Sequence, residues 1–100
     1  MTHKEWLFVK MAVAGMKGFG IVSVLSLRER LRREQQQAFR KEEQLASRVR
    51  RLYQEKWQNC FHQLRLERAR SDLRNFQEHE LRFFRLVLVA CELKLKEMTA

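Results

Sequence analysis

The chain contains no proline, and its only three glycines fall within GMKGFG at positions 15–20. Proline and glycine are the residues that most strongly interrupt helices and begin turns. Between residues 28 and 98 neither of them occurs, and the strong helix formers Gln, Glu, Arg, Leu and Ala dominate. The scarcity of both residues predicts an all-α protein whose most evident weak point is the glycine segment.

Cysteine is also scarce, since only Cys60 and Cys91 are present. They could form at most one disulfide, and neither lies in a C-x-x-C or metal-binding pattern. Both occur in apolar helical stretches, where free thiols are ordinarily buried, so a reducing compartment is favoured over secretion. We expect an intracellular protein, cytoplasmic or cytoskeletal, with a mitochondrial location as the alternative.

Recognisable catalytic and cofactor motifs are missing. His3, His62 and His79 have no companion ligands at metal-binding spacing, and Cys60 and His62 would lie on opposite sides of a helix. The glycine spacing does not fit a P-loop or a dinucleotide-binding loop, and no strands follow it as they follow the GXXG loop of KH domains. We therefore predict a protein that is not an enzyme and that holds no cofactor and no metal.

Positive charge is abundant. The net charge is +9, and fourteen arginines stand against seven lysines. Such a chain should associate with an acidic partner, and the arginine fork pairs with carboxylate and phosphate alike. Nucleic acid, anionic lipid and acidic protein surfaces all satisfy this requirement. The predicted electrostatic contacts are Arg30, Arg33, Arg40 and Arg51.

Apolar residues recur with helical spacing along most of the chain. From Leu31 to Leu64 they share one side of a helical wheel, and from Ala69 onward the series restarts about half a turn away. The pattern predicts one long helix over about residues 28–97, either straight, kinked, or broken near residues 70–72, where Ser71 could cap a second helix. The lack of glycine and proline favours the unbroken or kinked rod.

A rod of this length would span roughly 100 Å and could not wrap around a core of its own. It is also a poor two-stranded coiled coil, because a heptad that places Leu31 and Leu45 at a positions puts Glu34 and Arg48 at d positions. The sequence thus predicts no independent globular core and a helix that packs on partners.

Aromatic residues gather in the middle of the predicted rod. Tyr53, Trp57 and Phe61 follow at four-residue steps, which would stack them as a ridge on one helix, with Trp57 as the leading anchor. Such a ridge is either core or interface, and a chain with little core would bury it against a partner. The predicted partner interface comprises Tyr53, Trp57, Phe61, Leu64, Phe76, Phe84 and Val87.

Residues 1–27 form an apolar N-terminal segment, and residues 28–98 form the rod. Gly15, Gly18 and Gly20 each weaken a helix by up to about 1 kcal/mol, so they predict a hinge between a short apolar helix and the rod. His3, Lys10 and Lys17 recur every seven residues as a narrow cationic stripe along this segment.

Membrane association through residues 6–27 is one interpretation of this segment. Its 22 residues could span a bilayer, but Lys17 near the centre would cost about 2.5–3.5 kcal/mol. An interfacial position, or a slot between protein neighbours, costs less.

Three functions are consistent with these features. The first is a structural or adaptor subunit of a large assembly, cytoskeletal, ciliary or otherwise multi-subunit, that binds acidic protein neighbours through its helix faces. The second is a small membrane-anchored subunit or assembly factor of a mitochondrial membrane complex. The third is an RNA-contacting ribosomal accessory protein, although Glu29, Glu34, Glu42 and Glu43 among the arginines disfavour nucleic acid.

Overall fold

The computed structural model describes residues 1–56 and 59–100, and none of them forms a β-strand. The helices are α1 (His3–Gly15), α2 (Ile21–Gln54), α3 (Cys60–Phe76) and α4 (Arg82–Thr99), with a π-helical segment (Gln77–Leu81) joining α3 to α4. The predicted all-α class is confirmed, and a short apolar helix does precede a long one. Trp57 and Gln58 lie outside the described residues.

The long helix does not have the predicted bounds of 28–97. It begins earlier, at Ile21, and ends at Gln54, and a new helix starts at Cys60. A side-chain cap marks this second start: Asn59 is extended, and its Oδ1 accepts a hydrogen bond of 2.9 Å from the backbone N–H of His62. Asparagine is among the best N-cap residues, so a new helix begins here without glycine or proline.

The break near residues 70–72, which was the less favoured alternative, is not present. Ser71 lies inside α3 and caps no helix, because the surrounding RARSD residues continue the helical hydrogen bonding. The regular helix is interrupted later, by the π-helical turn at Gln77–Leu81. Helical structure therefore continues from Cys60 to Thr99, and the helix type changes at Gln77–Leu81 without a capped end between α3 and α4.

Helix α1 is bounded by strong local signals at both ends. Thr2 and Glu5 form a reciprocal capping box, in which each side chain accepts a hydrogen bond from the other residue's backbone N–H, at 3.2 Å and 3.1 Å. The helix ends at Gly15, and Gly18 follows with a φ of +87°, which favours glycine. The glycine segment thus forms the turn that separates α1 from α2.

The chain divides into two compact units, whereas the predicted division was at residues 27 and 28. Unit 1 comprises Met1–Gln35 with Arg82–Ala100, and unit 2 comprises Gln36–Leu81. Helix α2 contributes to both of them. The boundary falls within α2 because its first half packs with α1 and α4, and its last turns pack with α3.

Each unit has a buried apolar cluster, which corrects the expectation of no core. In unit 2 the cluster is small and consists of Leu52, Leu66 and Ala69, with Val49 against it. In unit 1 it draws on three helices and the glycine turn. Its buried members are Val9, Met16, Val24, Leu31, Leu86, Ala90 and Cys91. Helices that start anew after Gln54 can pack on α2, which a single straight rod could not do.

Candidate interaction surfaces

A buried carboxylate joins α1 to α4 in unit 1. Glu5 is only 6% exposed, and its Oε2 lies 2.6 Å from Nη2 of Arg85 and 3.4 Å from Nε of Arg82. The hydrogen bond from the backbone of Thr2 is the main cause that lowers the pKa of Glu5 to about 2, against the opposing effect of burial. The Thr2 hydroxyl, Arg82 and Arg85 lower it further. Glu5 therefore stays ionised and paired.

The opposite side of α1 is apolar and exposed. Because Glu5 and Val9 face the interior, residues half a turn away on the helix face solvent. Met11 is 74% exposed, Leu7 lies one turn before it, and Trp6 and Phe8 flank the pair. We call these four residues the α1 apolar surface. It is extended by Phe83 of α4, whose ring lies edge-on to that of Phe8 at a centroid distance of 6.1 Å.

Every exposed charged side chain near this surface in the N-terminal segment is basic. Glu5 is the only acidic residue before position 29, and it is neutralised by the two arginines of α4. His3, Lys4 and Lys10 are exposed on α1, and Lys17 is exposed in the turn. The predicted cationic stripe is therefore interrupted, since α1 ends at Gly15 before Lys17 is reached.

A groove of about 490 Å³ runs beside the α1 apolar surface, between α1 and α4. Most of its lining is apolar, and two ammonium groups and one carboxylate belong to it. The lining residues are Trp6, Lys10, Val13, Ala14, Leu93, Lys96 and Glu97.

In unit 2 the predicted aromatic ridge is divided between two helices. Tyr53 belongs to α2 and Phe61 to α3, so the four-residue steps do not continue along one helix. Phe61 is 70% exposed, and Tyr53 and Leu64 are exposed as well. Trp57, the predicted anchor, lies outside the described residues.

The other predicted interface residues pack within the chain to different degrees. Phe76 is buried in unit 2, with Nζ of Lys41 4.9 Å from its ring centroid. Phe84 and Val87 are half-buried and pack against the core of unit 1. Their helical spacing predicted an apolar face that needs covering, and this chain's own helices cover at least part of it.

The four predicted arginines all remain at the surface. Arg30 pairs with Glu34 one turn along the helix, at 3.2 Å, and Arg33 and Arg40 are exposed on the same helix. Arg51 lines a pocket of about 220 Å³ together with Arg48, Arg65, Leu52 and Glu55. This guanidinium pocket, as we call it, was not predicted, because it joins residues of two helices.

A buried histidine lies close to the guanidinium pocket. His62 is 1% exposed, and its Nδ1 lies 3.0 Å from Oε2 of Glu55, which also accepts from Nη2 of Arg65 at 3.3 Å. Glu55 thereby contacts two side chains of α3, and it links the residue that follows α2 to that helix. Neither Arg48 nor Arg51 has a carboxylate partner among the described residues.

Within residues 1–56 and 59–100, no three His, Cys, Asp or Glu side chains are grouped so as to hold a metal ion. Each helix of this described part is too short or too polar to cross a bilayer. Residues 6–27, considered above as a span, are divided between α1 and α2 by the glycine turn. Comparison with protein-family models, curated proteins and solved structures gives no match.

Proposed function

We propose that the chain is a non-enzymatic structural or adaptor subunit of a larger protein assembly, with unit 2 as its contact with an acidic protein neighbour. The observation that carries this proposal is the combination of exposed apolar anchors and unpaired guanidinium groups at one end of unit 2. Phe61 and Leu64 are exposed near the start of α3, and Arg65 of the guanidinium pocket lies one turn beyond Phe61 on the same side of the helix.

This combination is typical of protein interfaces. Aromatic residues and arginine are enriched there, and a few exposed anchors usually contribute most of the binding energy. Arg48 and Arg51 line the guanidinium pocket without a carboxylate partner among the described residues, and they would accept an aspartate or glutamate side chain from a partner. Such a partner meets both the apolar and the electrostatic requirement of the surface.

The assembly that fits best is a protein one, either a cytoskeletal or ciliary filament or another multi-subunit complex, in the cytoplasm. Acidic residues are mixed with the arginines on α2, as in the ion pairs of Arg30 with Glu34 and Arg50 with Glu43. A helix that tracks a phosphate backbone would be repelled by such carboxylates. Acidic protein is therefore favoured over RNA.

The test is the size of the particle that contains the chain in a gentle extract of cells expressing it, measured by size-exclusion chromatography with light scattering. We expect the wild type to elute well above the mass of one chain, and nuclease treatment to leave that mass unchanged. The pair Phe61→Ser and Leu64→Ser should release the chain, since one aromatic anchor contributes on the order of 2 kcal/mol.

Phe39→Ser is the matched control, because Phe39 is also exposed in unit 2 but belongs to α2 and does not line the guanidinium pocket. It should leave the particle intact. Release of the chain by nuclease would contradict the proposal in favour of RNA. An intact particle after both Phe61 and Leu64 are replaced would show that unit 2 is not the contact.

A further inference from the structure

The described residues leave the α1 apolar surface of unit 1 largely exposed. Leu7 and Met11 point away from the core, and Trp6 and Phe8 widen the surface on either side. Exposed large apolar side chains gathered on one element mark an interaction site, whereas single ones do not. The α1 apolar surface is therefore a candidate binding site.

The charged residues around the α1 apolar surface favour an anionic binding partner. The exposed charged groups of α1 are Lys4 and Lys10, and the one carboxylate of the helix is turned inward to Arg82 and Arg85. The surface thus combines apolar and electrostatic contributions to binding, with apolar side chains in the centre and cationic groups beside them. Long lysine side chains at such positions can extend their ammonium groups toward anionic headgroups.

Shape and composition favour a lipid surface. The free side of a helix is convex, and a bilayer needs no complementary pocket to receive it. Trp, Phe, Leu and Met flanked by Lys are the residues with which helices lie in the interface of anionic membranes. The groove between α1 and α4 adds an apolar recess lined by Trp6, with Lys10 and Lys96 available to a phosphate.

We propose that unit 1 binds the surface of membranes containing anionic phospholipids, with the α1 apolar surface inserted among the headgroups and Lys4, Lys10 and Lys96 against their phosphates. Helix α1 is held in place before binding by its capping box and by the ion pairs of Glu5 with Arg82 and Arg85. The surface is therefore presented ready-formed. This binding is peripheral and independent of the contact proposed for unit 2.

The experiment uses the full chain with Trp57→Phe, which leaves Trp6 as its only tryptophan. Vesicles of phosphatidylcholine mixed with phosphatidylserine are compared with vesicles of phosphatidylcholine alone, by co-sedimentation and by Trp6 emission. We expect the chain to bind the mixed vesicles, with a blue shift of Trp6, and to bind pure phosphatidylcholine much more weakly. Added salt should weaken binding by screening the lysines.

Substitutions distinguish the apolar contribution to membrane binding from the electrostatic one. Leu7→Gln with Met11→Gln should weaken binding at least about tenfold, since two apolar side chains no longer enter the membrane. Lys4→Gln with Lys10→Gln should weaken it about fivefold for each ammonium group removed. Leu64→Ser is the matched control, because Leu64 is equally apolar and exposed but lies in unit 2, and it should leave binding unchanged.

Circular dichroism of each variant confirms that its helices are kept. If the folded protein without α1 substitutions does not bind the mixed vesicles, the proposal is wrong and a protein neighbour is the better candidate partner for this surface. Equal binding to both vesicle types, or equal loss with Leu64→Ser, would overturn it as well. Purified lipids and α1 variants are used throughout, so failure here is distinct from failure of the unit 2 contact.

Discussion

The two units of the chain use their apolar residues in different ways. In unit 1 three helices contribute to a buried cluster that includes Val9, Val24 and Cys91, all fully buried. In unit 2 the cluster has only Leu52, Leu66 and Ala69 at its centre, while Phe61 and Leu64 remain outside. Helix α1 enlarges the core of unit 1, whereas the described residues of unit 2 form the last part of α2, the whole of α3 and a π-helical segment, with no third α-helix. Local caps and ion pairs should therefore matter more in unit 2.

Shortening a core side chain should give the largest difference between the units in the free energy of unfolding that is lost. Leu86→Ala in unit 1 removes a side chain buried among three helices and should lower the free energy of unfolding by about 2–4 kcal/mol. Leu66→Ala in unit 2 should cost less, because a thin core can relax around the deletion. Urea denaturation followed by circular dichroism measures both. A larger loss for Leu66→Ala would reverse the comparison.

The start of α3 should be the most sensitive cap in unit 2. Asn59→Ala removes the hydrogen bond from the His62 backbone N–H and should destabilise the protein by about 1 kcal/mol. Asn75→Ala is the matched control, since Asn75 is exposed inside α3, where alanine is the better helix former. The control should be neutral or stabilising in the same denaturation experiment, and equal losses would argue against the cap.

Acid should loosen α1 before it affects the rest of unit 1. The pKa of Glu5 in the folded chain is about 2, below its ordinary value of 4.5, so the carboxylate stabilises the docked helix above pH 4.5. That stabilisation is lost as the pH falls from 4.5 toward 2. The protection factors of the α1 amides, which compare their hydrogen exchange with the intrinsic rate at the same pH, should therefore fall over this range. Glu5→Gln should make exchange fast at neutral pH and remove this acid dependence, and unchanged exchange would contradict the role of Glu5.

The two cysteines should differ in their reactivity toward a thiol reagent. This difference should not affect the stability of the fold. Burial is the main cause that raises the pKa of the Cys91 thiol, and the charge of Glu92 raises it further while Arg28 opposes them. Cys60 is exposed at the start of α3. A thiol reagent should label Cys60 in the native chain and Cys91 only after unfolding. Cys60→Ser should abolish native labelling, and rapid labelling of Cys91 would contradict its place in the core.

Much of the helical content could be predicted because helix propensity is a local property. The glycine segment separated two helices as expected, and the Thr2-x-x-Glu5 spacing is a capping signature that could have located the start of α1. Asn59 before Cys60 and Phe61 is a similar signal for α3. The lack of glycine and proline instead favoured an unbroken rod through this stretch. A local cap decides only that a helix can start. Whether it does depends on what the new helix packs against.

The candidate surfaces were less predictable. Helical spacing identified Phe76, Phe84 and Val87 as apolar positions that need covering, and they are covered within the chain. Spacing cannot distinguish that arrangement from burial against a partner, because both remove the same side chains from water. Phe61 and Leu64 belong to the same kind of pattern but remain exposed.

By itself the amino-acid sequence determined the helical class, the turn at the glycines and the positive charge, since each of these follows from residues close together or from composition. The tertiary structure decided which residues meet across long separations: Glu5 with Arg85 eighty positions later, and Arg48 and Arg51 with Arg65 around one pocket. Such pairings depend on where α2 ends and how the following helices pack on it. The packing of these helices is determined by the burial of apolar side chains from several of them at once. It cannot be predicted from any one local stretch of the chain.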